Sequence, residues 1–283
     1  MKLLSLRPTF HIGNLLAPKV RAVIVSTPRS GNTWLRSLLA NAYALEHARN
    51  EELWAHTPEG FPWSELPRRC VMQLHWEPDK AFQRLLRTQG VRPIAVARHP
   101  LDVLISILQL SQHSTETACW LRGEGGDETP IRGASPCSEA FLNYATGRRA
   151  SVLLSLSVDW WQTRRSLNLR YEDLVRAPLE TLAQLTRTLG TVSPDALNRA
   201  IASCSIDKLR TAENAPHFWQ GKPGLWRSLL TTQAAQRIAA AHPRAFEQFG
   251  YLCDPDPSLT REQANANWAI LASATRPRMQ RSA

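Results

Sequence analysis

The stretch VIVSTPRSGNTWLRSLLA, residues 23–40, limits the fold more than any other part of the 283-residue chain. An apolar, β-branched run meets a turn containing Pro28 and Gly31. Then Trp34, Leu35, Leu38, Leu39, Ala42 and Leu45 recur at helical spacing. A strand that turns directly into a helix opens a βαβ unit. The turn lies at the helix N-terminus, where unpaired N–H groups and the helix dipole favour an anion. The pattern recurs: residues 20–26, 70–75, 91–97 and 167–171 read as strands, with helical patterns over 78–87, 100–110 and 178–189. Pro100 suits a first helical position, with Asp102 in the first turn. Residues 138–164 read as one helix carrying Tyr144, Trp160 and Trp161, and helices dominate from Ser193. Strands alternating with helices predict an α/β fold, three layers with a central parallel sheet flanked by helices. Ligands of such sheets bind at the carboxyl ends of the strands. That directs attention to residues 26–28, His75, Arg98 and Tyr171.

The first turn stands where a Walker loop would, which makes the predicted fold P-loop-like. A Walker loop, G-x-x-x-x-G-K-S/T, places a lysine on the phosphates and a hydroxyl on magnesium. With Gly31 as its second glycine, Asn32 occupies the lysine position and Ser26 the first glycine. The cation of this loop is Arg29, before the glycine. Backbone N–H groups at 30–33 still form a nest suited to an anion held without a metal. A P-loop kinase or NTPase is the alternative enzyme class; the missing lysine and the lack of a clear magnesium aspartate at a strand end count against it.

The net charge is +10, and of 34 basic residues only five are lysine. Guanidinium grips phosphate and sulfate with a planar fork, so the balance suits anionic ligands. A basic nucleic-acid-binding module is the non-enzymatic alternative, but the arginines are spread along the chain and no nucleic-acid motif appears. Five scattered cysteines without C-x-x-C spacing argue for reduced thiols, against zinc and for a cytoplasmic location. Residues 1–20 lack an uninterrupted apolar segment and no 18-residue apolar run occurs, so no leader or membrane span is expected.

The sequence STPRSGNTWLRSLL is similar to the 5′-phosphosulfate loop T-Y-P-K-S-G-T-T-W of sulfotransferases that use 3′-phosphoadenosine 5′-phosphosulfate (PAPS). The resemblance implies that Arg29, Ser30, Gly31, Asn32 and Thr33 hold the 5′-phosphosulfate and that Trp34 stacks on adenine. VARHPLDVLISIL resembles the family's R-N-P-x-D-x-x-x-S motif, which implies Arg98 and Ser106 as ligands of the 3′-phosphate. LRYEDLVRAP is similar to the family's Y-E-D segment and brings Tyr171 to the adenine edge. CSIDKL resembles the T-S-F segment covering the base, through Ser205 and Ile206, with isoleucine in the aromatic position. FWQGKPGLWRSLLT resembles R-K-G-x-x-G-D-W-K, which closes over the 3′-phosphate. Here Gly221, Gly224 and Trp226 are in register, but Trp219-Gln220 replaces Arg-Lys, so Lys222 or Arg227 is left to compensate, and Gln220, Gly221 and Lys222 are the expected cofactor contacts of this segment. The matches run in family order over residues 23–231.

That resemblance also implies the chemistry: metal-free, in-line transfer of a sulfuryl group from PAPS to a hydroxyl or amine, releasing 3′-phosphoadenosine 5′-phosphate (PAP). His75 matches the family's base and Arg29 its leaving-group cation, the two catalytic residues expected here, with no metal. Gln73 stands where the family often has lysine. The acceptor, a small molecule or glycan precursor, is expected between His75 and a long aperiodic loop at 113–137, with Trp54, Phe61, Trp63, Trp120, Trp160 and Trp161 as candidate lining residues. One domain over 1–256, a polar tail over 257–283, and no nucleic-acid partner complete the reading.

Overall fold

A computed structural model describes residues 19–45, 58, 60–113, 117, 120–121, 128–210 and 218–273. Trp54, Cys119 and residues 1–18 lie outside them. In chain order the elements are β1 (Val20–Val25), α1 (Asn32–Ala42), β2 (Arg69–Leu74), α2 (Lys80–Thr88), β3 (Arg92–Ala97), α3 (Pro100–Ser111), α4 (Glu139–Thr146), α5 (Arg148–Gln162) and β4 (Leu167–Arg170). There follow α6 (Tyr171–Arg176), α7 (Pro178–Leu189), α8 (Pro194–Ser203), α9 (Ile206–Leu209), α10 (Thr232–Ala241), α11 (Pro243–Phe249) and α12 (Arg261–Ser273).

The four strands pair in parallel in the order β2-β1-β3-β4. From β1 the chain crosses to β2 on one side and then to β3 on the other, so the carboxyl ends of β1 and β3 frame a switch-point crevice. Both faces of β1 are covered. Val20, Ala22 and Ile24 join a core with α1, α7 and α8, while Val23 and Val25 face Met72, Phe82 and Trp160. A strand buried on two sides is a continuous apolar run, which is how β1 reads in sequence. Helix α3 is buried along its whole length and forms a further core with α4, α5, α10 and α11. Phe61, Trp63 and Trp160 belong to the core rather than to a ligand wall, at 6% exposure or less.

Three expectations change. The single helix over 138–164 is two, because the chain is extended at Gly147 (ψ 175°) and a Cβ there would lie 2.8 Å from the Asn143 carbonyl oxygen. The second half of the 113–137 loop is anchored: Ile131 is fully buried, and the buried Glu128 carboxylate accepts hydrogen bonds from the Tyr144 hydroxyl and Arg149 Nε at 2.9 Å. Within the expected polar tail, Arg261–Ser273 is helix α12, whose Trp268 is 7% exposed and packs at 5.8 Å on Trp219. One tryptophan and Ala264 are its buried residues, too few to register as a period.

Trp268→Ala should therefore lower stability by about 3 kcal/mol, a typical cost of deleting a buried aromatic, read as a lower midpoint in urea unfolding.

Candidate functional site

The turn leaving β1 is itself buried, so its polar groups need partners from other elements. Ser26 Oγ accepts the Val96 N–H of β3 at 2.6 Å, and Ser157 Oγ of α5 accepts the Thr27 N–H at 2.8 Å. Ser157 donates its own proton to the Val96 carbonyl, and the Thr27 hydroxyl donates to that of Leu153 at 2.7 Å. Asn32 Nδ2 closes the turn on the Thr27 carbonyl at 2.9 Å. Asn32 is thus a structural clasp by its side chain, although its backbone begins α1. Gly31 precedes α1 in a left-handed conformation (φ 96°) without a side-chain cap, leaving the first N–H groups of the helix to another acceptor.

Gly31 has a second reason. A Cβ there would stand 2.5 Å from Tyr171 Cδ2. The Tyr171 ring also carries the Arg98 guanidinium at 4.6 Å, meets Trp34 edge-on at 5.9 Å, and donates its hydroxyl proton to the Gly221 carbonyl at 2.8 Å. Trp34 is fixed by its indole N–H on the Cys204 carbonyl at 2.9 Å. Ile206 approaches Gly221 so closely that a Cβ on the glycine would meet its Cδ1 at 2.7 Å. One rim of the crevice thus assembles Gly31, Trp34, Tyr171, Ile206 and Gly221. Ser205 precedes α9 in an exposed position without a side-chain capping bond, and Lys222 is exposed beside the half-buried Gln220.

Arg29 lies at φ 69°, a region that costs a side-chain-bearing residue energy and persists only when neighbours impose it. They do: Arg98 Nη1 donates to the Arg29 carbonyl at 2.9 Å, and Arg29 Nε donates to Ser106 Oγ at 3.0 Å. Arg29 is pushed down to about 10, first by burial and then by the nearby charge of Arg98. Arg98 Nε is buried without a hydrogen-bond partner. A desolvated guanidinium at Arg29 and the orphaned Arg98 Nε fit a multiply charged anion, which would offset the burial cost. Ser106 Oγ is an acceptor toward Arg29, so its own proton remains available to such a ligand.

Asp102 faces neither arginine as an ion pair. It is buried and accepts the Gly224 N–H at 2.6 Å and the Trp226 N–H at 3.1 Å, fixing the segment after Gly221 on α3. Trp219 turns inward to Trp268, and Arg227 is ion-paired with Asp254 and lies over the Trp226 ring at 4.7 Å. Arg227 is therefore engaged away from the crevice, leaving Lys222 as the uncommitted cation of this segment among the described residues.

His75 follows β2. Its Nδ1 lies 2.7 Å from the Ser26 carbonyl, which can only accept, so Nδ1 carries the proton and Nε2 the lone pair. The Gln73 amide nitrogen approaches that lone pair at 3.4 Å, which turns Gln73 Oε1 toward Thr33, whose hydroxyl donates to it at 3.3 Å. The tautomer of one ring thereby sets the orientation of an amide and a hydroxyl on two other elements. Burial pushes His75 down to about 4, against the raising effect of the Ser26 bond, so the ring is neutral at pH 7. Trp120 stands edge-on to it at 6.3 Å. Among the described residues no group of three or more His, Cys, Asp or Glu side chains is placed to hold a metal ion, and no helix is long and apolar enough to cross a membrane.

Sequence reasoning missed Ser157, Asp102 as a clamp, and the orientation of Gln73. Polar residues on the buried faces of two helices, Asp102 of α3 and Ser157 of α5, are the signals that could have found the first two.

This is a parallel α/β fold with an anion crevice at its switch point, and the same fold occurs in solved proteins. Mouse sulfotransferase SULT7A1 complexed with PAP superposes with a TM-score of 0.56 at 15% identity, over 81% of this chain and 84% of that one. Retinol dehydratase in complex with androsterone and PAP gives 0.53 at 15% identity, over 83% and 82%. A curated relative, Cytosolic sulfotransferase 16 of Arabidopsis thaliana, is 22% identical over 273 residues, covering 81% of this chain and 77% of the relative. The sulfotransferase domain family model matches residues 19–250, and the chain belongs to that family.

Gly31→Ala should cost more stability than Gly133→Ala. Both carry positive φ, but only at Gly31 does the new Cβ meet a ring. A difference of about 1–3 kcal/mol is expected from the forced shift, measured by paired thermal melts.

Proposed function

We propose that this sulfotransferase moves the sulfuryl group of PAPS to a hydroxyl or amine of a small-molecule or glycan acceptor, with His75 as the base. The observation that carries the reading is the Nδ1–H bond from His75 to the Ser26 carbonyl, which leaves a neutral Nε2 lone pair beside the donor loop. Donor binding is assigned to the loop N–H groups from Ser30 to Thr33 and to Arg29 at the 5′ end. Arg98 and Ser106 serve the 3′-phosphate, helped by Lys222. Trp34, Tyr171, Ser205, Ile206, Gln220 and Gly221 enclose the base of the nucleotide. PAP in two of the similar solved structures supports this choice of donor.

PAPS supplies an activated sulfur whose bond to the phosphate oxygen breaks as the acceptor oxygen or nitrogen bonds to it. His75 Nε2 takes the proton the acceptor loses. Arg29 and the loop amides stabilise the charge that develops on the departing phosphate. Gln73 keeps the lone pair occupied in the unliganded site. A ligand that draws the Thr33 hydroxyl away frees Oε1 and lets the amide release His75, which couples donor binding to availability of the base. Trp120 supplies an aromatic wall for the acceptor. Apolar alcohols are compatible with such a wall, and androsterone and retinol occupy the retinol dehydratase structures. A cytosolic site of action is proposed on the name of the plant relative.

His75→Ala should lower kcat by about 10²–10⁴-fold, the usual worth of a positioned base, with PAP affinity unchanged by calorimetry; turnover at the wild-type rate would remove the base assignment. Arg98→Ala should weaken PAP by about 2 kcal/mol, as for a lost charge-assisted bond, and leave the analogue without a 3′-phosphate nearly unaffected. Equal losses would overturn that role. The catalytic form of His75 is the neutral one, and its value near 4 lies below the ordinary 6.5. Hence kcat/KM should hold its plateau as pH falls through 6.5 and break only well below it; a break at 6.5 would contradict the buried, neutral ring.

A further inference from the structure

At the opposite end of the sheet, where β3 and β4 begin, a cleft of about 490 Å³ opens beside α2 and the end of α5. Its floor is apolar, built from Leu86, Pro93 and Leu167. Four guanidiniums, Arg87, Arg92, Arg164 and Arg165, line it, and no carboxylate does. All four residues are exposed, and among the described residues none has an ion-pair or hydrogen-bond partner. Several other arginines are ion-paired: Arg149 with Glu128, Arg176 with Asp173, Arg237 with Glu139 and Arg244 with Asp159. Arg87, Arg164 and Arg165 lie near the carboxyl ends of α2 and α5, where the helix dipoles partly offset a cation. Arg92 begins a strand and has no such offset.

Four like charges around one apolar hollow repel each other, and the fold itself does not require them there. We propose that this cleft is a second ligand site, taking a small organic anion with a flat apolar body and a phosphate or sulfate ester group. The volume lies in the range of small-molecule sites, and arginine forks match tetrahedral oxyanions in pairs. A six-residue strand places the cleft about 20 Å from Arg98, so the site is separate from the donor crevice. The inference does not rest on the sulfuryl-transfer reading.

The test is calorimetric titration of the full chain with 1-naphthyl phosphate and 1-naphthyl sulfate, run with and without saturating PAP, so that occupancy of the donor crevice is controlled and turnover is not read. The two esters distinguish a phosphate from a sulfate ligand. Saturable binding of at least one ester should persist with PAP present. It should fall at least about tenfold in both Arg92→Gln/Arg165→Gln and Arg87→Gln/Arg164→Gln, as expected for lost charge-assisted bonds. It should be unchanged in Arg84→Gln, an exposed α2 arginine outside the cleft, with melting temperatures confirming that each variant is folded. The proposal is overturned if neither ester binds the PAP-saturated protein, if both double variants bind normally, or if Arg84→Gln loses as much. Neutral 1-naphthol binding as tightly as the esters would likewise refute it. A short single-stranded oligonucleotide outcompeting the esters would make the patch a nucleic-acid surface instead.

Discussion

A turn that is buried must have its backbone polar groups answered by the rest of the molecule, and that requirement organises this protein. Ser26 and Thr27 are at most 1% exposed. Their hydrogen bonds go to Val96 on β3 and to Ser157 and Leu153 on α5. Those bonds fix the loop before any ligand arrives. Arg29 is then imposed in a left-handed conformation, Gly31 is pressed to Tyr171, and the Ser26 carbonyl is presented to His75. The loop and the His75 ring are thus referred to the same residue. The pre-organisation rests on interior hydrogen bonds, which in a buried setting are expensive to leave unmade.

The charge arrangement follows the same logic. Arg29 is desolvated beside the charge of Arg98, and the aspartate just after Arg98, Asp102, spends both oxygens on the backbone of Gly224 and Trp226. Asp102 is therefore not spent on neutralising either guanidinium. Burying Arg29 beside a like charge costs energy, and an anion bound there would offset part of that cost.

Much of this was legible in the sequence, and the reasons are particular. The strand-turn-helix openings show because β1 is apolar on both faces and α1 carries its leucines at helical spacing. The crevice residues Arg29, Trp34, His75, Arg98, Ser106 and Tyr171 follow from motifs in order along the chain. What stayed hidden depends on geometry between elements. The break at Gly147 comes from backbone crowding against Asn143, which composition does not record. The Thr33–Gln73–His75 chain joins α1, β2 and the segment beyond, and its direction is set by a carbonyl on a fourth. Helix α12 buries too little of itself to declare a period; Trp268, Ala264 and a hydrogen bond from Asn267 to the Ser228 carbonyl hold it.

That pair has a consequence for descent. The family segment that FWQGKPGLW resembles carries arginine where this chain has Trp219, and here the indole is committed to Trp268. Restoring arginine at 219 in one step would set a guanidinium against a buried ring and loosen the last helix before any phosphate gained a contact. The order of change is therefore constrained: Trp268 must first become dispensable.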